Sequence, residues 1–546
     1  MPRDLQADQE MLRQVLAYAE QRDIPRAAAM AEQALAEGFE HPLLLNVVAT
    51  RLELEGRLED ALRLLERAIS LAPADVGVRN ALSLCLQRLN RPAEALQHVE
   101  ELLKAHPDLA FAHACKGNAL ISLGALSDAK QSHLRALELD PRNLAARISL
   151  ASIATHRGEH DEARKWARGV LSEIPGFPDA VMSLAAAELA TGATDSAQLM
   201  LGQLLADPRA GVAEKSRANG LLGDVLDAEQ RYSEAFDAYR ACNESLRKIH
   251  RTFSDETSVL SYTHALIDAV QVVPLERWGI SATHRAAHTK SATDAFGHAF
   301  LIGFPRSGTT LLEVALDGHP KVVSLEEHEL LTDGVLNYMR EPLDFGPLLN
   351  AKESELDALR DSYWQQVRMT GVDVAGKLFI DKHPLNTLKL PLIARLFPSA
   401  KILFACRDPR DVVLSCYRRR FSMNPAMYQL LTLKGAADFY DAVMRFAAKA
   451  QPVVGMDWKV VHYENLVAEL PQQLDEICAF LGLEPAAGLS DFAPRMQVRE
   501  RATPSTAQLA RGLSSAGIGH WRHYTAELEK IMPVVEPWVQ RFGYGD

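Results

Sequence analysis

Polar and apolar positions follow two different grammars along the chain. Over the first 250 residues, small and apolar side chains recur at helical spacing, and the recurrence itself repeats. Ala27, Ala61, Ala95, Ala129, Ala163 and Ala197 stand 34 residues apart, and Ala235 follows after 38. A turn precedes each alanine, marked in four units by Gly56, Gly124, Gly158 or Gly192. Pro73, Pro107, Pro141 and Pro175 each stand twelve residues beyond one of the alanines. Two helices of about 12–14 residues and two turns fill such a period; the alanine lets the pair approach closely and the proline ends the second helix. The pattern predicts an all-helical array over residues 8–250, about seven helix pairs.

Residues 251–296 read as a helical connector. From residue 297 the period changes. Short apolar runs appear at 298–304 (HAFLIGF), 376–381 (GKLFID), 400–406 (AKILFAC) and 456–464 (MDWKVVHYE), separated by helical patterns, including an amphipathic piece near 351–370. Strand–helix alternation predicts an α/β domain with a parallel sheet over 297–546, and ligands of such sheets bind at the carboxyl ends of the strands.

Composition narrows the functional classes. With 47% hydrophobic and 24% charged residues the chain is no disordered polymer, and it lacks an apolar run long enough to span a membrane. A net charge of −12 argues against bulk nucleic-acid binding, yet residues 401–450 carry nine basic side chains against four acidic ones. That island is a candidate anion site. The six cysteines show neither CxxC nor zinc spacing and read as reduced, buried thiols. With no apolar signal core at the N-terminus, the expectation is a cytoplasmic protein.

Two motifs carry chemistry. The first, Gly303-Phe-Pro-Arg-Ser-Gly-Thr-Thr310, follows a predicted strand and opens a helix. There, helix N–H groups with Pro305, Arg306, Ser307, Gly308, Thr309 and Thr310 form a cradle for a phosphate-like anion. Thr309 stands where a nucleotide hydrolase requires lysine, and no run ending in a magnesium-binding aspartate is evident, which weakens an NTPase or kinase. The second motif is Cys406-Arg-Asp-Pro-Arg-Asp-Val-Val-Leu-Ser415. Arg407 ends a strand, Asp408 and Asp411 read as capping residues, and Arg407 with Ser415 two helical turns on forms a candidate second phosphate grip. Arg418, Arg419 and Arg420 follow without an assigned role.

The motif pair, in this order and about 100 residues apart, resembles the sulfotransferase family, and the stretch PRSGTTLLEVALDGHPKVVSLEEHELL is similar to the protein-tyrosine sulfotransferases. The 34-residue units resemble tetratricopeptide repeats. The resemblance implies transfer of a sulfuryl group from 3′-phosphoadenosine 5′-phosphosulfate (PAPS) to an acceptor hydroxyl, with no metal. It implies Glu327 as general base, Arg306, Lys382 and Ser505 as stabilisers of transfer, and Arg407, Ser415 and Tyr463 as nucleotide contacts. A competing reading makes Ser324-Leu-Glu-Glu327 a capping box opening a helix. Near the C-terminus Trp521 reads as a packing anchor, and Arg511 is displaced by one position from the family pattern. The favoured acceptor is a polypeptide tyrosine presented by the array, whose expected partner is a protein or peptide, with self-association a further expectation. A glycan, lipid or small-molecule acceptor, and a repeat scaffold carrying a non-catalytic nucleotide site, remain as alternatives.

Overall fold

The computed structural model describes residues 5–21, 23–89, 91–255, 258–278, 295–486, 488–491 and 513–545. One compact unit runs to Thr191, and the second comprises the described residues from Gly192 onward.

The first unit is a run of antiparallel helix pairs, such as Pro42–Leu54 with Leu58–Leu71 and Ala110–Ser122 with Leu126–Leu139. The periodic alanines fall at one structural position. Ala27, Ala61, Ala95, Ala129 and Ala163 are each the fourth residue of the second helix of a pair, and each is fully buried. A larger side chain there would push the paired helices apart. Gly56, Gly124 and Gly158 adopt φ of +78°, +81° and +72°, which lets the chain reverse between helices.

The second unit begins with three further helices, Thr194–Ala206, Val212–Ala228 and Tyr232–Ile249, continues through Val259–Val272, and then enters the sheet. Ala197 and Ala235 are again fourth in their helices and fully buried. Five parallel strands form the sheet: β1 (Gly297–Gly303), β2 (Val322–Glu326), β3 (Leu378–Lys382), β4 (Lys401–Cys406) and β5 (Trp458–His462), in the order β2-β3-β1-β4-β5. Four of these match the apolar runs read from the sequence. β2 is an addition: its Val-Val-Ser-Leu-Glu is too short and too mixed to stand out, and the competing sequence reading places a helix start there. That helix begins only at Thr332 and runs to Tyr338.

Alternation along the strands divides the core. Phe300 and Ile302 face one layer with Phe404, while Ala299 and Leu301 face the other with Leu403 and Ala405. The first layer is continuous with Leu226, Phe236 and Tyr239 of the helices Val212–Ala228 and Tyr232–Ile249. Among the described residues no helix is long and apolar enough to cross a membrane.

Candidate functional site

All five strands are parallel, so their carboxyl ends share one edge. The register aligns Leu301 and Glu326 with Lys382, Gly303 with Ala405, and Cys406 with His462. The residues singled out in the sequence therefore emerge side by side: Glu326 and Glu327 after β2, Lys382 at the end of β3, the first motif after β1, Arg407 after β4 and Tyr463 after β5. β1 is the strand from which the chain order departs in both directions, where parallel sheets open a crevice.

The loop after β1 is shaped by close approach. A Cβ on Gly303 would lie 2.6 Å from the Ala405 carbonyl oxygen, and one on Gly308, at φ +97°, would lie 2.5 Å from Cδ2 of Tyr463. Thr387 ties down the strand end, its hydroxyl accepting from the Gly303 amide at 3.0 Å and donating to the Gly303 carbonyl at 2.8 Å. Ser307, Thr309 and Thr310 are buried, and the Pro305 carbonyl accepts from Cys416 Sγ at 3.3 Å. Arg306 holds a left-handed φ of +70°, a strained conformation for a non-glycine residue of the kind concentrated at functional sites.

Arg306 meets the second motif directly. Its Nε donates to Ser415 Oγ at 3.1 Å, and its carbonyl accepts from Arg407 at 3.4 Å. Arg407 also donates to the Gly517 carbonyl and lies 4.6 Å over the Tyr463 ring, while its buried Nε has no hydrogen-bond partner among the described residues. Arg306, Arg407, Ser415 and Gly517 line a cavity of about 280 Å³ together with Arg419. Burial and the charges of Arg419 and Arg407 push the Arg306 guanidinium down to about 9, and burial with its flanking arginines lowers Arg419 also. Cations crowded to the point of mutual repulsion, with an unpaired donor among them, fit a polyanionic ligand.

A second cluster sits at the ends of β2 and β3. Fully buried Lys382 lies 2.9 Å from Glu326 and 3.0 Å from Glu327, and 3.5 Å from the equally buried Glu313. Burial alone would lower its ammonium pKa, but the three carboxylates override this and raise it. Glu327 adopts φ +53° and its amide donates to the Lys382 carbonyl at 2.7 Å. The capping-box reading fails here. Ser324 lies within β2 and its hydroxyl donates to Glu313 at 2.8 Å, so Glu327 caps no helix.

Two further expectations change. Asp408 caps the helix Pro409–Arg418 as read, accepting from the Arg410 amide at 2.9 Å. Asp411 does not: its carboxylate accepts from the amides of Gly519 at 2.6 Å and Trp521 at 2.9 Å, fastening a distant segment beside the cavity. Trp521 is buried beneath Arg410, whose guanidinium lies 3.9 Å from its ring, as a packing anchor should be. Arg418 and Arg420, without an assigned role in the sequence, are ion-paired with Asp227 at 2.7 Å and Asp224 at 2.8 Å. Arg419 and Thr387 are additions the motifs did not supply. Ser505 and Arg511 lie outside the described residues.

Known proteins resemble both parts of the chain. Residues 299–487 match the model of the sulfotransferase family, and residues 52–115 and 116–180 match tetratricopeptide-repeat models. An uncharacterized Aquifex aeolicus protein is 23% identical over 419 residues, 73% of this chain and 51% of that protein. A putative protein-tyrosine sulfotransferase of Caenorhabditis briggsae is 27% identical over 34% of this chain and 65% of its own length. Protein-tyrosine sulfotransferase 2 of Gallus gallus is 24% identical over 45% of this chain and 68% of its own. The chain thus spans about half of the first of these relatives and 65% of the second. It joins tetratricopeptide repeats to a domain of the sulfotransferase family.

Proposed function

We propose that the protein transfers a sulfuryl group from PAPS to the hydroxyl of a polypeptide tyrosine. The observation that carries this reading is the meeting of Arg306, Ser415 and Arg407 in one cavity at the β1–β4 crevice, with Lys382 and Glu327 on the adjoining strand ends. The donor brings a sulfuryl group on a good leaving phosphate. The amides at the start of helix Thr309–Leu316, with Thr309 and Thr310, hold its 5′ end, and Arg407, Ser415 and Arg419 hold its 3′-phosphate. Arg306, fixed by Ser415, supplies positive charge to both ends. Tyr463, under Arg407 and against Gly308, walls the nucleotide side.

Transfer is an in-line displacement at sulfur. Glu327 accepts the acceptor proton, the acceptor oxygen bonds to sulfur, and the bond from sulfur to the 5′-phosphate oxygen breaks. Lys382 donates a hydrogen bond to that departing oxygen, and Ser505 assists. Donors placed where charge develops contribute a few kcal/mol each. The repeat array binds the polypeptide that carries the acceptor. The six free, buried thiols support a reducing compartment such as the cytoplasm.

The test mixes purified protein, labelled PAPS and cell extract. Release of 3′-phosphoadenosine 5′-phosphate with tyrosine O-sulfate in protein hydrolysates is the expected result. Label in glycan or lipid overturns the tyrosine acceptor, and no donor binding by calorimetry overturns the activity.

A further inference from the structure

One carboxylate ties the second motif to a distant turn of the chain. Asp411 stands in the first turn of the helix Pro409–Arg418 and is 2% exposed. An acidic side chain at such a place ordinarily serves its own helix. Asp411 instead grips amides 108 and 110 residues further along, Oδ2 accepting from Gly519 at 2.6 Å and Oδ1 from Trp521 at 2.9 Å. Two acceptors on two amides fix the turn in orientation as well as in place. The turn is fastened on its other side by His520, 3.0 Å from Asp227, and by Trp521, buried beneath Arg410.

The same turn holds Arg407. The guanidinium donates through Nη2 to the Gly517 carbonyl and through Nη1 to the Arg306 carbonyl at 3.4 Å, and Nη2 lies 4.0 Å from Asp411. A guanidinium carries its N–H donors in one rigid plane. Backbone carbonyls of two separate loops therefore set the plane of Arg407, and its remaining donors, the buried Nε–H among them, are left for a ligand. The approach is close: a Cβ on Gly517 would lie 3.0 Å from Nη2. Ala516, Gly517 and His520 line the cavity together with Arg407 and Asp411. By charge alone a carboxylate in that wall would repel an anion. Here both of its oxygens are engaged by backbone amides.

We infer that Asp411 is a positioning residue for the donor's 3′-phosphate. It acts through the turn: by gripping the Gly519 and Trp521 amides it sets the Gly517 carbonyl. That carbonyl, with the Arg306 carbonyl, fixes the plane in which Arg407 meets the phosphate. The inference rests on the donor reading above, which puts the 3′-phosphate at Arg407, and adds the residue that keeps Arg407 aligned for it.

The experiment measures, by calorimetry on the full chain, the Kd of 3′-phosphoadenosine 5′-phosphate and of adenosine 5′-phosphate. The two nucleotides differ only in the 3′-phosphate, so the ratio of their affinities isolates that group. Wild type, Asp411→Asn and Gly517→Ala are compared, with thermal midpoints as the check of folding. Wild type binds the bisphosphate more tightly. Asp411→Asn offers one oxygen to two amides and turns an N–H toward the other. It is expected to lose about tenfold or more of the preference, the contribution of one charge-assisted hydrogen bond, with the monophosphate Kd unchanged. Gly517→Ala keeps every charge and separates the turn from Arg407, so it should move the ratio the same way and decides the matter where Asp411→Asn fails to fold. An unchanged ratio overturns the inference. So does a ratio that grows in Asp411→Asn, since the carboxylate then acts only by repelling the anion. Both affinities falling together marks a purely structural role and overturns it as well. These three results leave the donor reading intact. Wild type that binds the two nucleotides equally, or neither, overturns that reading and the inference with it.

Discussion

Lys382 and Glu327 are joined twice. The Glu327 amide donates to the Lys382 carbonyl at 2.7 Å, and Lys382 Nζ donates to Glu327 Oε1 at 3.0 Å. The proposed hydrogen-bond donor and base are thus locked by backbone as well as by charge, and Glu327 accepts a left-handed φ to be there. Replacement by Gln keeps the shape and removes the base. Glu327→Gln should lower kcat by about 10²–10⁴ with donor Kd unchanged. Steady-state rates together with calorimetry check this, and full activity in the variant would discard the base assignment.

Lys382 neutralises the fully buried Glu313. Lys382→Met strands that carboxylate, which should cost about 3–5 kcal/mol, seen as a lower urea midpoint. Adding Glu313→Gln should restore most of the loss. Two additive losses would show that the pair does not interact.

Ser415 is the acceptor for the Arg306 guanidinium. Ser415→Ala removes one hydrogen bond to a charged group, worth about 1.5–3 kcal/mol. The expected result is a donor Kd raised at least about tenfold. Far-UV circular dichroism should be unchanged.

Gly308→Ala places a methyl group against the Tyr463 ring at a φ that side chains resist. Nucleotide binding should fall by about tenfold or more, since roughly 1–2 kcal/mol of backbone strain adds to the clash. Calorimetry of the variant with Tyr463→Ala added should show partial recovery.

His133, on the helix Leu126–Leu139, is fully buried with neither ring nitrogen bonded among the described residues, and burial lowers its pKa from 6.5 to about 4. The folded state therefore holds it neutral. Its contribution is complete above pH 6.5 and is lost as pH falls through 6.5 toward 4, on the order of 3 kcal/mol. Hydrogen-exchange protection factors, corrected for the intrinsic pH dependence of exchange, should fall over Ala110–Ser122 and Leu126–Leu139 as pH drops across that interval. His133→Leu should flatten the response.

What the sequence disclosed depended on how local the signal was. The alanine period was legible because each repeat restates the same close approach between helices. The ends of β1, β3, β4 and β5 were legible because each is an apolar run broken by a charged or glycine-rich turn. β2 escaped because Ser-x-x-Glu reads the same at a helix start as at a strand end. Only the register of Glu326 with Lys382 decides between them. The roles of Asp411 and the arginine triplet were not legible, because their partners stand about 110 to 200 residues away. The sequence also places no weight on Thr387, whose work is done on the backbone of another strand.

The helices Val212–Ala228 and Tyr232–Ile249 carry the repeat's alanine signature yet share a core with the sheet. This bears on how the chain can be dissected. A fragment begun at residue 251, where the repeat pattern ends, would expose Phe236-facing and Tyr239-facing apolar surface and strip Arg418 and Arg420 of their counterions. A fragment begun at Gly192 keeps both. As a unit of expression, the domain that matches the sulfotransferase family is therefore longer than the residues by which it is recognised, and it takes its last repeat helices with it.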